Sequence, residues 1–124
     1  MEPWQHRTVT REGVNIATRR RGDPKRPTIL FVHGYPDNGE VWDAVTTALG
    51  DQDYHLVTYD VRGAGASSAP TGLAAYKLAQ LRDDLFAVID SVSPGRPVHL
   101  VAHDWGSIQS WEAVTEPGAE RRIA

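Results

Sequence analysis

Three short apolar runs, each followed by a loop and then by helical spacing, constrain this sequence more than any other feature. The runs occupy residues 29–32, 55–59 and 98–102 and are apolar at most positions. A strand that is apolar on both faces has to be covered on both faces, which is typical of parallel sheets. The sequence therefore predicts buried strands joined by helices that cover both sides of a sheet.

Segments between and before these runs complete the predicted architecture. Helical spacing of apolar residues predicts helices over residues 39–49, 75–92 and 106–114. Residues 8–21 predict two extended segments on either side of a turn at Gly13. The predicted fold class is α/β, with a mostly parallel sheet and helices on both faces.

The same periodicity assigns positions to two polar residues. Asp84 lies off the apolar stripe of the predicted helix 75–92. His99 alternates with apolar neighbours on the strand 98–102. We therefore expect Asp84 outside the buried face, and His99 in the core with its hydrogen bonds satisfied.

Composition excludes several classes of protein. The 124 residues carry a net charge of −3, with 40% hydrophobic and 23% charged residues, which does not favour nucleic acid or an anionic membrane as partner. The chain has no cysteine, which excludes disulfides and thiolate catalysis. Of its five histidines only His99 and His103 have a metal-ligand spacing, but an extended segment separates residues i and i+4 by about 13 Å, so no metal is expected. Without a signal peptide or a membrane span of about 20 apolar residues, we expect a cytoplasmic protein.

A strand-to-helix turn with small residues on both sides follows the third apolar run. It consists of Ala102, His103, Asp104, Trp105 and Gly106, the small-x-nucleophile-x-small form of a nucleophile elbow. Such a turn lifts its central residue clear of the sheet and aims a helix N-terminus at it, which favours an ionised carboxylate. Asp104 is therefore the candidate nucleophile. The alternative is that it only caps the helix.

An aspartate at the centre of an elbow indicates which carbon is attacked. A serine that attacked a saturated carbon would leave an ether, which water does not cleave at neutral pH. A carboxylate that attacks a saturated carbon leaves an ester, so turnover remains possible. Asp104 therefore predicts displacement at sp3 carbon, by opening an epoxide or by expelling a halide.

The loop after the first apolar run predicts a partner for this elbow. An oxyanion hole needs the backbone N–H of the residue after the nucleophile, here Trp105, and a second N–H from a loop after an earlier strand. Tyr35 is the candidate for the second donor. Gly34 lets the backbone approach closely, and Pro36 fixes the chain.

Three motifs occur in a fixed order along the chain: HGYPD at residues 33–37, YDVRGAGAS at 59–67 and VAHDWG at 101–106. Their order and spacing resemble those of epoxide hydrolases of the α/β-hydrolase superfamily. The resemblance implies Asp104 as nucleophile, the amides of Tyr35 and Trp105 as oxyanion donors, and a small apolar epoxide-type substrate. The residues expected to shape the site without taking part in the chemistry are His33, Gly34, Pro36, His103 and Gly106.

Residues 105–117 further resemble members of that family that are fused to a short-chain dehydrogenase domain. Two other functions stay open. Haloalkane dehalogenases share the fold and the Asp-Trp elbow, but typically carry asparagine at the position of Tyr35. The third possibility is a non-catalytic binding protein that kept the fold without the chemistry.

The loop after the second apolar run contains features that we interpret as structural. Residues 63–68 partly match a dinucleotide fingerprint, but Ser68 replaces its third glycine and Pro70 lies where the phosphate-binding helix should run. No cofactor is therefore expected. Asp60 and Arg62 are expected to pin this loop through ionic and backbone hydrogen bonds.

The residues after Asp104 lack a part that the mechanism needs. Hydrolysis of the ester requires a histidine base held by an acid, and no histidine follows Asp104. Epoxide opening also needs an acid for the leaving oxygen; the family uses cap-domain tyrosines for this, and no tyrosine follows Tyr76. We therefore expect residues 1–124 to form the N-terminal part of an α/β-hydrolase core domain, with the cap and the C-terminal part absent, and to be inactive alone.

Overall fold

The computed structural model describes all 124 residues and contains one mixed five-stranded sheet. The strands are β1 (Gln5–Arg11), β2 (Val14–Arg21), β3 (Thr28–Val32), β4 (His55–Tyr59) and β5 (His99–Ala102). Their order across the sheet is β1-β2-β4-β3-β5. β1 and β2 form an antiparallel hairpin, and β2 also pairs antiparallel with β4. β4, β3 and β5 run parallel to one another. The predicted α/β class is confirmed.

Three α-helices connect or follow the parallel strands. They are α1 (Asp43–Leu49), α2 (Leu78–Val92) and α3 (Trp105–Val114), and short 3-10 helices occupy Gly39–Trp42, Leu73–Tyr76 and Ala119–Arg121. The helix predicted over 75–92 begins only at Leu78, because Lys77 has extended backbone with φ −62° and ψ 149°. None of the helices combines the length and the apolar character that crossing a membrane demands.

The core lies on both faces of the sheet because alternate residues of a strand point to opposite sides. On β3, Leu30 and Val32 pack in the larger cluster, which includes residues of α2 and α3. Ile29 and Phe31 pack in the smaller cluster on the other face. There the Phe31 ring contacts Trp42, with 5.2 Å between the ring centroids.

Two expectations about buried residues are wrong. His99 is exposed and not in the core, because β5 is paired along its length only with β3, and its other side meets a single bridge between Val98 and Ile123. Asp84 is buried, because two arginines from other parts of the chain bind its carboxylate.

Candidate active site

The carboxyl ends of the three parallel strands meet at one edge of the sheet. The register aligns Val32 at the end of β3 with Tyr59 of β4 on one side and with Ala102 of β5 on the other. The loops that follow these strands are therefore neighbours, and ligands of such sheets bind at this edge. This position is the one that the order of apolar runs and polar loops predicts.

Asp104 occupies the turn between β5 and α3 in a strained backbone conformation. Its φ is 59° and its ψ is −131°, a combination that costs a non-glycine residue about 1–3 kcal/mol. Its side chain makes no N-cap hydrogen bond to the helix. The turn therefore presents the carboxylate at the surface instead of using it to begin α3.

Two glycines are required by the close approach of β3 and its loop to the turn. A Cβ at Gly106 would lie 2.5 Å from the carbonyl oxygens of both Val32 and His33. A Cβ at Gly34 would lie 2.5 Å from the Asp104 Cβ and 2.6 Å from its Oδ2. Any larger residue at either position would push the loop after β3 away from Asp104.

Backbone amides surround the Asp104 carboxylate. The Tyr35 N–H donates to Asp104 Oδ2 across 3.2 Å. The backbone N–H groups of Trp105 and Tyr35 lower the pKa of Asp104, and the nearby His103 contributes a smaller lowering through its charge. Both predicted oxyanion donors thus lie at the carboxylate, which they hold in its ionised form.

His33 joins the loop after β3 to the loop after β4. Its imidazole is buried, with Nδ1 2.7 Å from the Gly34 carbonyl oxygen and Nε2 2.9 Å from the Val61 nitrogen. A carbonyl only accepts and an N–H only donates, so Nδ1 carries the proton and Nε2 is bare. The Gly34 carbonyl and the Tyr35 N–H belong to one peptide group, so His33 also fixes the direction of that N–H. Pro36 follows through a cis peptide bond.

The loop after β4 is held by the two charged residues expected to pin it. Asp60 accepts from the backbone N–H of Gly39 at 2.8 Å and of Ala66 at 2.9 Å. Arg62 donates to Asp84 through Nε and Nη2, at 2.7 and 2.8 Å. Asp60 and Arg62 therefore make the backbone and ionic hydrogen bonds that were expected to pin this loop.

A cavity of about 550 Å³ opens beside the turn. Its wall includes Tyr35, Trp105, Tyr76, Leu81 and Gln109, whereas Asp104 itself lies outside the wall. Gln109 is buried under this cavity and was not among the predicted site residues, because a single glutamine on a helix carries no signal of its own. No cluster of three or more His, Asp or Glu side chains has the arrangement of a metal site.

The sheet order and the strand–turn–helix at Asp104 are those of α/β hydrolases. Residues 27–121 match the family described as alpha/beta hydrolase fold, and the chain belongs to this family. The relatives that it resembles include proteins named as epoxide hydrolases and a protein named as a probable oxidoreductase. It is 47% identical to the "Probable oxidoreductase EphD" of Mycobacterium tuberculosis over 91% of this chain and 19% of that protein. It is 36% identical to the "Epoxide hydrolase A" of the same organism over 86% of this chain and 33% of that protein.

Solved structures give the same result. Epoxide hydrolase VrEH1 from Vigna radiata superposes with a TM-score of 0.84 at 36% identity, over 96% of this chain and 37% of that one. Epoxide Hydrolase A from Mycobacterium thermoresistibile superposes with a TM-score of 0.85 at 30% identity, over 97% of this chain and 37% of that one. The chain is thus an epoxide hydrolase-like α/β-hydrolase region. It spans about a third or less of the length of these relatives.

Proposed function

We propose that this chain carries the nucleophile of an epoxide hydrolase, and that Asp104 is that nucleophile. The observation that carries the proposal is the Asp104 carboxylate at the strand–helix turn, with the Tyr35 N–H 3.2 Å from its Oδ2. The lowered pKa of Asp104 supports it, because only the ionised carboxylate is nucleophilic. The likeness to two proteins named as epoxide hydrolases supports an epoxide as the substrate class.

The position of the amides assigns a role to each carboxylate oxygen. Oδ2 is held by Tyr35, so the other oxygen, Oδ1, attacks the epoxide carbon. The new bond from Oδ1 to carbon forms as the carbon–oxygen bond of the ring breaks, and the released alkoxide takes a proton from water or an acid. The product is a 2-hydroxyalkyl ester of Asp104. When water later attacks the ester, negative charge develops on Oδ2, where the N–H groups of Tyr35 and Trp105 stabilise it.

The second half of the reaction needs a histidine base, and no histidine follows Asp104 in this chain. We propose that residues 1–124 are the N-terminal part of the core domain, and that the histidine base and the acid belong to other parts of the complete protein. With water in place of the cap tyrosines as proton donor, this chain alone should form the ester slowly, and because no histidine follows Asp104 it should not hydrolyse that ester or turn over. A stalled ester makes the first step directly observable.

Intact mass spectrometry tests this proposal. The chain is incubated with excess styrene oxide, and its mass is followed with time. We expect a persistent 1:1 adduct with the mass of one epoxide in the wild-type chain and in Asp53→Asn, which changes an exposed aspartate far along the chain from the turn. Asp104→Asn, measured before any deamidation, should give none. An equal adduct in Asp104→Asn, or none in the wild type, would contradict the proposal.

One observation keeps the haloalkane dehalogenase as a second candidate. The Trp105 side chain is exposed beside Asp104, where its indole N–H could hold a leaving halide. The same experiment with 1-bromohexane distinguishes the two functions. Faster alkylation by the bromide, with one bromide ion released per adduct, would favour the dehalogenase. Failure of both reagents would favour a protein that binds without reacting.

A further inference from the structure

Gln109 is a buried polar side chain that the proposed chemistry does not use. It lies on α3, five residues after Asp104, and is 2% exposed. Its Nε2 donates to the Tyr59 hydroxyl across 3.2 Å. Burial raises the pKa of Tyr59, so this phenol stays neutral and the hydrogen bond joins two uncharged groups. One end of the amide is therefore tied to the core.

The other end of the Gln109 amide has no partner within the chain. Oε1 accepts no hydrogen bond from the chain. The fully buried side-chain atoms without a partner are Arg21 Nε and Trp42 Nε1, so Gln109 Oε1 is not fully buried. Because Gln109 lines the cavity beside the turn, the accessible atom that remains is the one that reaches this cavity. A carbonyl oxygen in this position can accept a hydrogen bond from a ligand in the cavity.

The other polar groups of the same wall do not offer this combination. The Arg62 guanidinium is bound to Asp84 and to the Ala75 carbonyl. The Tyr76 hydroxyl makes no hydrogen bond, but its side chain is partly exposed and so is hydrated already. Gln109 is the wall residue that is nine-tenths buried and keeps an acceptor atom without a donor from the chain, so its Oε1 is fixed in place and available to a ligand in the cavity.

We propose that Gln109 Oε1 is a recognition group that accepts a hydrogen bond from a hydroxyl on the non-reacting part of the substrate. The cavity extends from Tyr35 and Trp105 at the turn to Leu81 of α2, so a ligand that occupies it lies against the proposed oxyanion donors. The preferred substrate class is then a hydroxylated epoxide. The assignment of this ligand as a substrate depends on the proposed function, but the binding itself does not require Asp104.

A matched pair of unreactive ligands isolates the hydroxyl donor. Butane-1,2-diol and 1,2-dimethoxybutane share their carbon skeleton and oxygens, but only the diol can donate. Binding to the 124-residue chain is measured by ¹H–¹⁵N NMR titration, following the Trp105 and Gly63 amides and the side-chain NH₂ of Gln109. We expect the diol to bind about five-fold more tightly than the diether, which is the effect of one net hydrogen bond.

Variants of the cavity wall decide which residue causes the preference. Gln109→Met keeps the length of the side chain and removes its acceptor, so the ratio of the two dissociation constants should fall to about one. Tyr76→Phe, which removes a hydroxyl from the same wall, should keep the five-fold ratio. Retention of the preference in Gln109→Met, or no preference in the wild type, would overturn the inference. A dispersed NMR spectrum and an unchanged melting temperature show that each variant is folded.

Measurement of the pair in Asp104→Asn separates this inference from the proposed function. We expect the same preference there, because Oε1 and not the carboxylate binds the hydroxyl. If the wild-type chain binds the diol more tightly than the diether but forms no ester with styrene oxide, only the proposed function is contradicted. An ester without any preference would contradict the role of Gln109 alone.

Discussion

At the scale of single residues, the proposed chemistry depends on the backbone conformation and the backbone amides around one carboxylate. Asp104 is exposed and strained, with φ 59°, yet the Tyr35 N–H donates to its Oδ2, and the N–H groups of Trp105 and Tyr35 lower its pKa. Strain of this kind persists only where the surrounding structure imposes it, and it is common at functional sites. The close packing of Gly34 and Gly106 on the turn supplies that constraint.

The ionisation of Asp104 gives the first prediction. Its carboxyl carbon, followed by ¹³C NMR as the pH is lowered, should titrate with a midpoint below the ordinary aspartate value of about 3.9. The reason is that the amides of Trp105 and Tyr35 stabilise the charged form. Because the folded pKa lies below the unfolded one, this ionisation stabilises the fold above about pH 4, and the contribution is lost as the pH falls through the folded pKa.

Gly34→Ala provides the control for this titration. Its new Cβ would lie 2.6 Å from Asp104 Oδ2, so the loop and the Tyr35 N–H must move away. The midpoint should then rise toward the ordinary value. An unshifted midpoint in the wild-type chain would mean that the amides do not stabilise the carboxylate in solution.

The His33 imidazole gives a second prediction. Its two hydrogen bonds require the neutral tautomer with the proton on Nδ1. Long-range ¹H–¹⁵N NMR at neutral pH should show a protonated Nδ1 and a bare, hydrogen-bonded Nε2. Detection of the proton on Nε2 would show that the link to Val61 is absent, and with it the bridge between the two loops.

At the scale of elements, a buried ionic network ties the first strand to the candidate site. The Asp84 carboxylate on α2 accepts from Arg62 after β4 and from Arg11 on β1, at 2.9 Å for Arg11 Nε. Arg62 also donates to the Ala75 carbonyl at 2.8 Å. Because Val61 next to Arg62 binds His33, the network reaches the loop that carries Tyr35.

Adjacent aspartates on α2 make a matched test of this network. Asp84→Asn leaves the buried Arg62 charge without its partner and should lower the free energy of unfolding by about 3 kcal/mol. Asp83→Asn removes a carboxylate that is 43% exposed and pairs with Arg82, so it should cost less than about 1 kcal/mol. Urea unfolding monitored by circular dichroism measures both. Equal losses would mean that Asp84 is solvated and that the network does not stabilise the fold.

Strand bounds followed from the sequence, but the surroundings of each strand did not. The run at 55–59 gave β4 as His55–Tyr59 because both faces of β4 are buried. The run at 98–102 also has one histidine among mainly apolar residues, yet His99 is exposed on a strand paired along its length only with β3. Apolar periodicity indicates which faces of a strand need to be buried. It does not show whether other strands or helices are present to bury them. The partners of Asp84 and Gln109 were missed because they lie far away in sequence.

At the scale of the whole molecule, one apolar surface lies outside the core. It is formed by α3, and we call it the α3 surface; its exposed residues are Trp105, Ile108, Trp111 and Val114. Several exposed apolar side chains on one helix promote association. In this chain the surface adjoins the edge of β5, which adds unpaired backbone groups to the same region.

The α3 surface predicts self-association of the 124-residue chain. Trp111 is 68% exposed at its centre, so Trp111→Arg should reduce association without lowering the melting temperature by more than a few degrees. Sedimentation velocity over a range of concentrations measures the effect. Val45→Lys, a similar change at an exposed apolar residue of α1, is the control and should leave association unchanged. Equal effects of both variants would exclude the α3 surface as the cause.

Of the 16 acidic residues in the chain, we propose that one, Asp104, is the nucleophile. The direct measurement is tandem mass spectrometry of peptides from the chain after reaction with styrene oxide, to find which residue carries the 2-hydroxyalkyl ester. We predict the ester on Asp104 alone, because the turn and the amides of Tyr35 and Trp105 act on that carboxylate only. An ester on another carboxylate, or one spread over many, would contradict the account.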